Sequence, residues 1–356
     1  MSTGGNLERA VEVLAPIPLQ GRMLEFYVER RVDGEYRRLI EGELMGSKPF
    51  ISIFVAAPRG FGKTSSVNYW AANALKPEFR PIVLREPAPV DVLYHAALGI
   101  AEDLITSLTF SSAPVRVGEE VSAVYELVTK GGRDYGILAR ALAKLNRVSP
   151  LKYMVLVDEF DPSGDARFLR ALDLIFQEPR SIYFTFLGTP EALEEVRRLD
   201  RAVADKLTVL RMPHFTYEEA REAVRRRLEF VGLKLDLIPE EDLRQIYAMS
   251  MGPRDIFVLV REYLSLGGDM ERVRSGREAS LLAHMYSLMD DVDRRIVDLI
   301  ARGPMRFGDL QKGTGVSKTA LWYRLNVLME QGFIHKPRRG VYALTREAEV
   351  ALRHVL

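Results

Sequence analysis

Residues 54–65 read Phe-Val-Ala-Ala-Pro-Arg-Gly-Phe-Gly-Lys-Thr-Ser, and this stretch decides the fold class that the sequence predicts. An apolar run typical of a buried strand leads into a loop and then into a helix that begins near Thr64. Gly60 and Gly62 allow the backbone to curl, so that successive N–H groups converge on phosphate groups, and Lys63 adds a positive charge. The start of the helix favours the same anion. The stretch therefore predicts a phosphate-binding loop.

Ala57 is the one departure from the usual pattern Gly-x-x-x-x-Gly-Lys-Thr, because it stands where the first glycine is expected. Alanine still lets the end of a strand turn, and both glycines nearest the phosphates are present, so we interpret the loop as functional. The Thr64 hydroxyl is a suitable Mg²⁺ ligand. The residues expected to bind the nucleotide are Pro58, Arg59, Gly60, Phe61, Gly62, Lys63, Thr64 and Ser65.

A second motif, Tyr153–Phe160, is an apolar run that ends in two carboxylates. Asp158 stands where a phosphate-loop protein needs a carboxylate to hold the hydration shell of Mg²⁺. Glu159 is placed to act as the general base that polarises the attacking water. Either motif alone is also consistent with an ordinary core strand. The two together, in this order, predict binding of ATP or ADP with Mg²⁺ and an ATPase in which Lys63 and Glu159 are catalytic.

Composition limits the class of protein. A chain of 356 residues predicts two or three domains, and 47% hydrophobic and 28% charged residues describe a globular protein. The net charge is +1, so any nucleic-acid surface must be local. Cysteine is absent, which excludes disulfides and thiolate metal sites. No apolar run approaches the length of a membrane span and no signal-peptide pattern is present, so we expect a cytoplasmic protein without a membrane partner. The abundance of Arg and Glu resembles the composition of heat-adapted proteins.

From Pro49 onward, strand-like runs alternate with helical patterns, which predicts βαβ units and a mostly parallel sheet. An amphipathic segment at 22–44 precedes them; it either packs beside the adenine or forms a plain solvated helix. Residues 109–118 are predicted to be a surface loop. The predicted strands are 50–56, 80–85, 153–158, 182–188 and 207–212, and the predicted helical segments are 90–108, 121–145 and 166–176.

After Pro213 the strand patterns stop, and residues 217–231, 239–250 and 253–266 predict three helices with a polar residue or Pro at their starts. Gly267 and Gly268 then interrupt the chain. We therefore predict three domains: a phosphate-loop ATPase core over residues 1–213, a helical lid over 214–269, and a third unit over 270–356.

Three further positions are candidates for the nucleotide site. Thr189 follows the strand 182–188 and would contact the γ-phosphate or the water, or else cap the next helix; Thr185 is less favoured because it lies within the strand. Arg254, on the first turn of the third lid helix, would reach over the phosphates, since an Arg there is otherwise unfavourable for the helix dipole. Arg201, with Arg198 behind it, would act as an arginine finger on a neighbouring subunit, or belong to a solvated charge run.

The C-terminal unit has the order helix, helix, turn, helix, strand, basic turn, strand, which predicts a winged helix-turn-helix. Residues 281–356 contain twelve Lys or Arg against eight Asp or Glu. The alternative is a winged helix that serves as a protein-docking or lid-packing module. We expect contact with double-stranded DNA, with the third helix in the major groove and the wing on phosphates. The proposed DNA-contacting residues are Lys318, Thr319, Trp322, Tyr323 and Arg324 on the helix, and Lys336, Arg338 and Arg339 on the wing.

The order of these motifs resembles the AAA+ ATPases, and most closely the archaeal ATPases of the origin-recognition initiator-like group. The resemblance rests on residues 57–64, 157–159, 188–190 and 252–254 and on the terminal winged helix. It implies an α/β phosphate-loop NTPase with a helical lid, and ATP-dependent DNA binding or loading, as in an initiator or a mobile-element accessory ATPase. Ala57 and a Thr, rather than Asn, after the fourth strand depart from the family pattern.

A second function is also consistent with the sequence. A signalling or regulatory ATPase of the archaeal STAND-like kind would use its winged helix as a latch or a protein-docking module and would never meet DNA. Arg254 favours the first function, because STAND-like relatives typically lack an Arg at this position. The sequence does not decide between a monomer, a homo-oligomer and a complex with another protein.

Overall fold

A computed structural model describes residues 3–46, 52–75, 79–109, 115–177 and 181–353. The strands are β1 Ser52–Ala56, β2 Phe79–Arg85, β3 Lys152–Phe160, β4 Ile182–Gly188, β5 Leu207–Arg211, β6 Met305–Arg306, β7 Ile334–Arg338 and β8 Val341–Leu344. The helices are α1 Thr3–Val13, α2 Arg31–Leu44, α3 Lys63–Tyr69, α4 Pro89–Thr109, α5 Val115–Gly131, α6 Tyr135–Val148, α7 Ala166–Phe176, α8 Pro190–Leu199, α9 Arg201–Asp205, α10 Tyr217–Phe230, α11 Glu240–Met249, α12 Pro253–Ser265, α13 Met270–Leu288, α14 Asp291–Ala301, α15 Phe307–Thr314, α16 Lys318–Glu330 and α17 Arg346–Arg353. Short 3₁₀ helices lie at Gly21–Phe26 and Leu235–Leu237, and a π-helical turn at Trp70–Ala74 follows α3.

The chain forms two compact units, Met1–Arg261 and Glu262–Leu356. The predicted division of the chain at residues 213 and 269 is finer than this one, and it stays a prediction. No helix in the described part of the chain is long and apolar enough to cross a bilayer.

The first unit is organised by a five-stranded parallel sheet with the order β2-β3-β4-β1-β5. Strand β1 is buried along its whole length, and its side chains alternate between the two faces. Phe54 packs in a large apolar cluster with helices α4 to α8, whereas Ile53 and Val55 pack in a second cluster with α2 and α3. A parallel sheet covered by helices on both faces is the arrangement that the alternating pattern predicts.

Most of the predicted segments correspond closely to observed elements, with two corrections. The predicted helical segment 121–145 is two helices, α5 and α6, because Gly132 has a φ of +63° and Asp134 caps α6 by accepting a hydrogen bond from the Ile137 N–H. The predicted loop 109–118 is wrong at its ends, since α4 includes Thr109 and α5 begins at Val115. Residues 50, 51 and 110–114 of these predictions lie outside the described residues.

The second unit contains α13 to α17 and a three-stranded antiparallel sheet with the order β6-β8-β7. Its core joins α14, α16 and the hairpin through fully buried side chains such as Val297, Leu321, Leu325 and Phe333. Helix α13 was missed from the sequence because its apolar residues do not follow a helical repeat. The five-stranded parallel sheet, the helical region and the C-terminal helix-turn-helix with its wing confirm the predicted fold class.

Gly188, the last residue of β4, has no space for a side chain. A Cβ atom added there would lie 2.8 Å from the carbonyl oxygen of Phe160 and 2.8 Å from the Phe54 ring. In contrast, a Cβ added at Gly34, on helix α2, would meet no atom within 4 Å. The two glycines therefore serve different purposes: only Gly188 is required by packing.

We expect Gly188→Ala to lower the free energy of unfolding of the first unit by about 1–3 kcal/mol through overpacking. Gly34→Ala, the matched control, should raise it by about 0.5–1 kcal/mol, because alanine is the better helix former. The measurement is urea unfolding followed by Trp70 fluorescence in a Trp322→Phe background. Equal midpoints for the two variants would contradict the packing argument.

Candidate nucleotide site and winged-helix surface

The phosphate-loop stretch folds as a turn between β1 and α3. Gly60 and Gly62 have φ values of +81° and +86°, which favour glycine strongly. Ala57 is fully buried, and its N–H donates to the carbonyl oxygen of Gly188 at 3.0 Å. The chain at residue 57 therefore still follows the sheet, and the alanine methyl group is accommodated in the core.

Lys63 begins α3 and its side chain curls back into the loop. The Nζ atom donates to the carbonyl oxygens of Ala57 and Pro58, both at 3.1 Å, and lies 3.9 Å from Glu159 Oε1. Burial lowers the pKa of Lys63, while the negative charges of Glu159 and Asp158 act in the opposite direction. The lysine thus stands between the loop and the two carboxylates at the end of β3.

Asp158 is almost fully buried at the end of β3, and the Thr64 hydroxyl lies near its carboxylate. Burial raises the pKa of Asp158, and the Thr64 hydroxyl opposes this shift. A hydroxyl and a carboxylate close together beside a phosphate loop are the pair of oxygen ligands that Mg²⁺ takes from a protein of this type. The two residues predicted as metal ligands are therefore adjacent, and together they fit a Mg²⁺ ion shared with phosphate oxygens.

Glu159 follows at an irregularity where the β3–β4 register shifts between Val157 and Phe160. Its φ is +52°, a left-handed conformation that is costly for a residue with a side chain. The irregularity turns the Glu159 side chain out of the strand alternation, and about a third of it is exposed. Backbone strain at a carboxylate beside the phosphate loop is consistent with a functional constraint on this residue.

Arg254 lies on the first turn of α12 and meets the loop directly. Its backbone N–H donates to the Gly60 carbonyl oxygen at 3.1 Å, and a Cβ atom added at Gly60 would lie 3.3 Å from Arg254 Cβ. Gly252 approaches the Phe61 ring so closely that an added Cβ would lie 2.9 Å from it. The Gly-Pro-Arg turn is thus packed against the phosphate loop.

The remaining candidates lie elsewhere. Thr189 caps α8 by accepting a hydrogen bond from the Ala192 N–H at 3.3 Å, which is the capping role weighed against a contact with phosphate. Thr185 is fully buried in β4 and is bonded to the Tyr36 hydroxyl. Arg201 and Arg198 are exposed and form ion pairs within their own helices, Arg201 with Asp205 and Arg198 with Glu195.

The N-terminal segment supplies site residues that the sequence did not reveal. Arg30 is buried and donates to the Phe61 carbonyl oxygen at 2.9 Å and to Ser66 Oγ at 2.6 Å. Ser65, predicted to contact the nucleotide, accepts a hydrogen bond from the Leu19 N–H at 3.0 Å. The only local sign of this arrangement is the spacing from Arg30 to Asp33, which forms a capping interaction at the start of α2.

A cavity of about 390 Å³ joins these parts. One end is the phosphate loop with Lys63 and Thr64, and the other is apolar and aromatic. A volume of this size with a polar end and an apolar end is typical of small-molecule sites. The lining residues are Pro16, Ile17, Pro18, Leu19, Phe26, Tyr27, Val28, Arg30, Gly60, Phe61, Gly62, Lys63, Thr64, Ser65, Glu86, Glu159, Phe215, Ala223, Arg227, Pro253, Arg254 and Phe257.

In the second unit, Ser317 caps α16 by accepting a hydrogen bond from the Ala320 N–H. Trp322 and Tyr323 are 58% and 66% exposed, so two large aromatic rings face outward from the predicted recognition helix. Arg324 forms ion pairs at 2.8 Å and 2.7 Å with Asp290 and Asp293 of α14 and its N-cap. The other predicted DNA-contacting residues on the helix and the wing are exposed: Lys318, Thr319, Lys336, Arg338 and Arg339.

Several known proteins are similar to this chain. Residues 290–336 match the model of the arsR family of bacterial regulatory proteins. No curated protein matches the chain. Among solved structures, the ADP form of the Aeropyrum pernix ORC2 protein matches at 17% identity and a TM-score of 0.49, and the A. pernix ORC1 protein in complex with DNA at 17% and 0.46. Cdc6p from Pyrobaculum aerophilum matches at 16% and 0.46. Each match covers 97% of this chain and 96% of the other.

The left-handed conformation of Glu159 leads to a prediction that separates stability from activity. The Glu159→Gly variant should have a free energy of unfolding about 1 kcal/mol higher than that of Glu159→Gln. Both variants lack the carboxylate, but only glycine removes the steric cost of the positive φ. Chemical denaturation measures the difference. Ser163, also at positive φ (+49°), provides the control: Ser163→Gly should gain stability similarly without loss of any activity. A Glu159→Gly protein no more stable than Glu159→Gln would show that the backbone is unstrained.

Proposed function

We propose that this protein binds ATP with Mg²⁺ and hydrolyses it, and that its C-terminal unit binds double-stranded DNA. The observation that carries the first half is the buried Lys63, whose Nζ donates to the loop carbonyl groups and lies 3.9 Å from Glu159 Oε1 at the polar end of the cavity, next to Thr64 and the buried Asp158. A hydroxyl, a carboxylate and an ammonium group in this arrangement are what a triphosphate and its metal ion require.

Each residue of the site has a distinct role in the proposed reaction. Lys63 would leave the carbonyl groups of Ala57 and Pro58 and neutralise phosphate oxygens, and Thr64 with Asp158 would hold Mg²⁺, which supplies charge neutralisation on the phosphates. Glu159 would orient water and accept its proton. Arg254 would place a further positive charge against the phosphates, from a helix that already contacts the loop.

The nucleotide is proposed to be ATP or ADP on the shape of the cavity and on the motifs together. The apolar end is lined by side chains such as Ile17, Phe26 and Phe257, which suit the faces of a planar base. An arginine finger at Arg201 and a phosphate contact at Thr189 remain predictions, as does a homo-oligomer or a protein partner. The Arg201 side chain is exposed, and an arginine finger must be exposed in the single subunit to reach the nucleotide of a neighbouring one.

The proposal of DNA binding is supported by residues of the second unit alone. Helix α16 presents Trp322 and Tyr323, and the end of β7 and the turn after it carry Arg338 and Arg339. A basic wing suits phosphates, and exposed rings on a recognition helix suit base edges and thymine methyl groups. Arg324 differs from its neighbours, since its ion pairs with two aspartates hold it against α14, and we assign it to orienting the helix as well as to DNA.

Lys63→Ala should weaken Mg²⁺-dependent ATP binding by about 10- to 100-fold, the loss expected for a charge-assisted contact with phosphate. Titration with a fluorescent ATP analogue measures the change, and Lys144→Ala, which removes a lysine of α6 away from the cavity, is the control. Glu159→Gln should retain binding and lose turnover. Wild-type affinity in Lys63→Ala would refute the site.

The double variant Arg338→Ala/Arg339→Ala should lose affinity for duplex DNA, and the slope of log affinity against log salt should become shallower by about 2, one unit for each phosphate contact. Fluorescence anisotropy at several salt concentrations gives both quantities.

The matched control is Arg272→Ala/Arg302→Ala, which removes the same charge from the same unit outside the helix and the wing. Equal losses in the two double variants would leave only a nonspecific charge effect. No binding of wild-type protein at low salt, with ATP binding intact, would favour the alternative in which the winged helix is a protein-docking latch.

A further inference from the structure

Arg227 of α10 is an unusual cation in the wall of the nucleotide cavity. Only 3% of it is exposed, and Nη1 donates to the carbonyl oxygens of Val13 at 3.4 Å and Ala15 at 3.1 Å. Its guanidinium carbon lies 3.7 Å from the centre of the Phe257 ring. The Nε atom has no hydrogen-bond partner among the residues that the structure describes. The side chain thus joins α10 and α12 to the segment that follows α1.

The segment Val13–Leu19 is fastened on its other side to the helix of the phosphate loop. The Leu19 N–H donates to Ser65 Oγ at 3.0 Å, and Asn68 donates to the Leu19 carbonyl oxygen at 2.7 Å. Between these two attachments lie Pro16, Ile17 and Pro18, all of which line the apolar end of the cavity. One wall of the cavity is therefore a strap, defined as residues 13–19, held by Arg227 at one end and by α3 at the other.

A cation at this place is costly to the folded protein. Burial lowers the pKa of Arg227 to about 10, which reflects the penalty of removing the guanidinium from water. A methionine of similar length would fill the space without this penalty, but it would leave the carbonyl groups of Val13 and Ala15 without their donor. The two carbonyl groups of the strap thus account for an arginine here, because they require a donor that spans them.

We propose that Arg227 is a positioning residue for recognition of the nucleobase: it holds the strap as the wall against which the base of a bound nucleotide packs. The inference rests on the proposed function, because it assigns the apolar end of that same cavity. The phosphate end is built from Lys63, Thr64 and Asp158. The hydrogen bonds of Arg227 go instead to Val13 and Ala15 of the strap. Loss of Arg227 should therefore affect ligands that carry a base and spare those that do not.

The test compares ATP with inorganic tripolyphosphate, each with Mg²⁺, in the full-length protein. Arg227→Met should weaken ATP binding by about tenfold, the loss expected for two hydrogen bonds, and leave tripolyphosphate binding within about twofold of wild type. Isothermal titration gives both affinities. The melting temperature of the unliganded variant should stay close to that of wild type, since removal of the buried charge and loss of the donor to two carbonyl groups act in opposite directions.

Arg226→Met is the matched control, because Arg226 is the neighbouring residue of α10 and also donates to an N-terminal carbonyl group, that of Tyr27 at 2.6 Å. It should not change the ratio of the two affinities. A second variant, Asn68→Ala, loosens the other end of the strap and should reproduce the selective loss.

The outcomes are distinct. Equal losses for ATP and tripolyphosphate in Arg227→Met, or an unchanged ratio in Arg227→Met and Asn68→Ala together, would overturn the inference while leaving nucleotide binding intact. A selective loss that also appears in Arg226→Met would overturn it too. Failure of the wild-type protein to bind either ligand would instead overturn the proposed function, and the inference with it.

Discussion

The carbonyl groups of the phosphate loop are the constraint on which the rest of the first unit depends. A loop that turns its N–H groups toward an anion must turn carbonyl groups away from it, and each buried carbonyl needs a donor. Lys63 serves Ala57 and Pro58, the Arg254 N–H serves Gly60, and the Arg30 guanidinium serves the carbonyl of the residue before Gly62. Three separate parts of the chain thus fix one short turn.

This arrangement explains why the site is more than a local motif. Removal of the N-terminal segment would take the donor away from the Phe61 carbonyl group, and removal of α12 would take it away from the Gly60 carbonyl group, each at a cost in stability that rises with the burial of the oxygen. Only Lys63 among the donors belongs to the loop itself, and it is the donor that phosphate oxygens would compete for. The exchange of one set of oxygen partners for another requires no rearrangement of Arg30 or Arg254. The loop is thereby preorganised, which lowers the cost of binding.

The buried arginines around the cavity also donate to backbone carbonyl groups. Arg30 and Arg227 are both buried, and each donates to backbone carbonyl groups, of Phe61 in one case and of Val13 and Ala15 in the other. Carbonyl partners satisfy hydrogen bonds without cancelling the positive charge. Together with Lys63, these buried side chains favour a polyanionic ligand, because a charge acts more strongly where it is removed from solvent than at the surface.

Features of the fold and the site that depend on residues close together in the sequence could be predicted, whereas those that depend on residues far apart could not. The phosphate loop, the Asp158–Glu159 pair and the strands were predicted because each is encoded within about ten neighbouring residues. Arg30 and Arg227 were not, since their partners lie 31 and more than 200 positions away and an arginine carries no sign of burial. The break between α5 and α6 was missed for a different reason: Gly131 and Gly132 interrupt a pattern that stays helical on both sides.

Ala57 and Glu159 separate the motif positions at which backbone conformation determines the residue type from those at which the side-chain chemistry does. At residue 57 the chain still forms a sheet hydrogen bond, so a side chain is tolerated and glycine is unnecessary. Gly60 and Gly62 lie at positive φ, where a Cβ would add strain in the loop that must hold its shape. Glu159 lies at positive φ as well, yet it is not glycine. A carboxylate stands there despite its conformational cost, which supports the role of general base that we propose for Glu159.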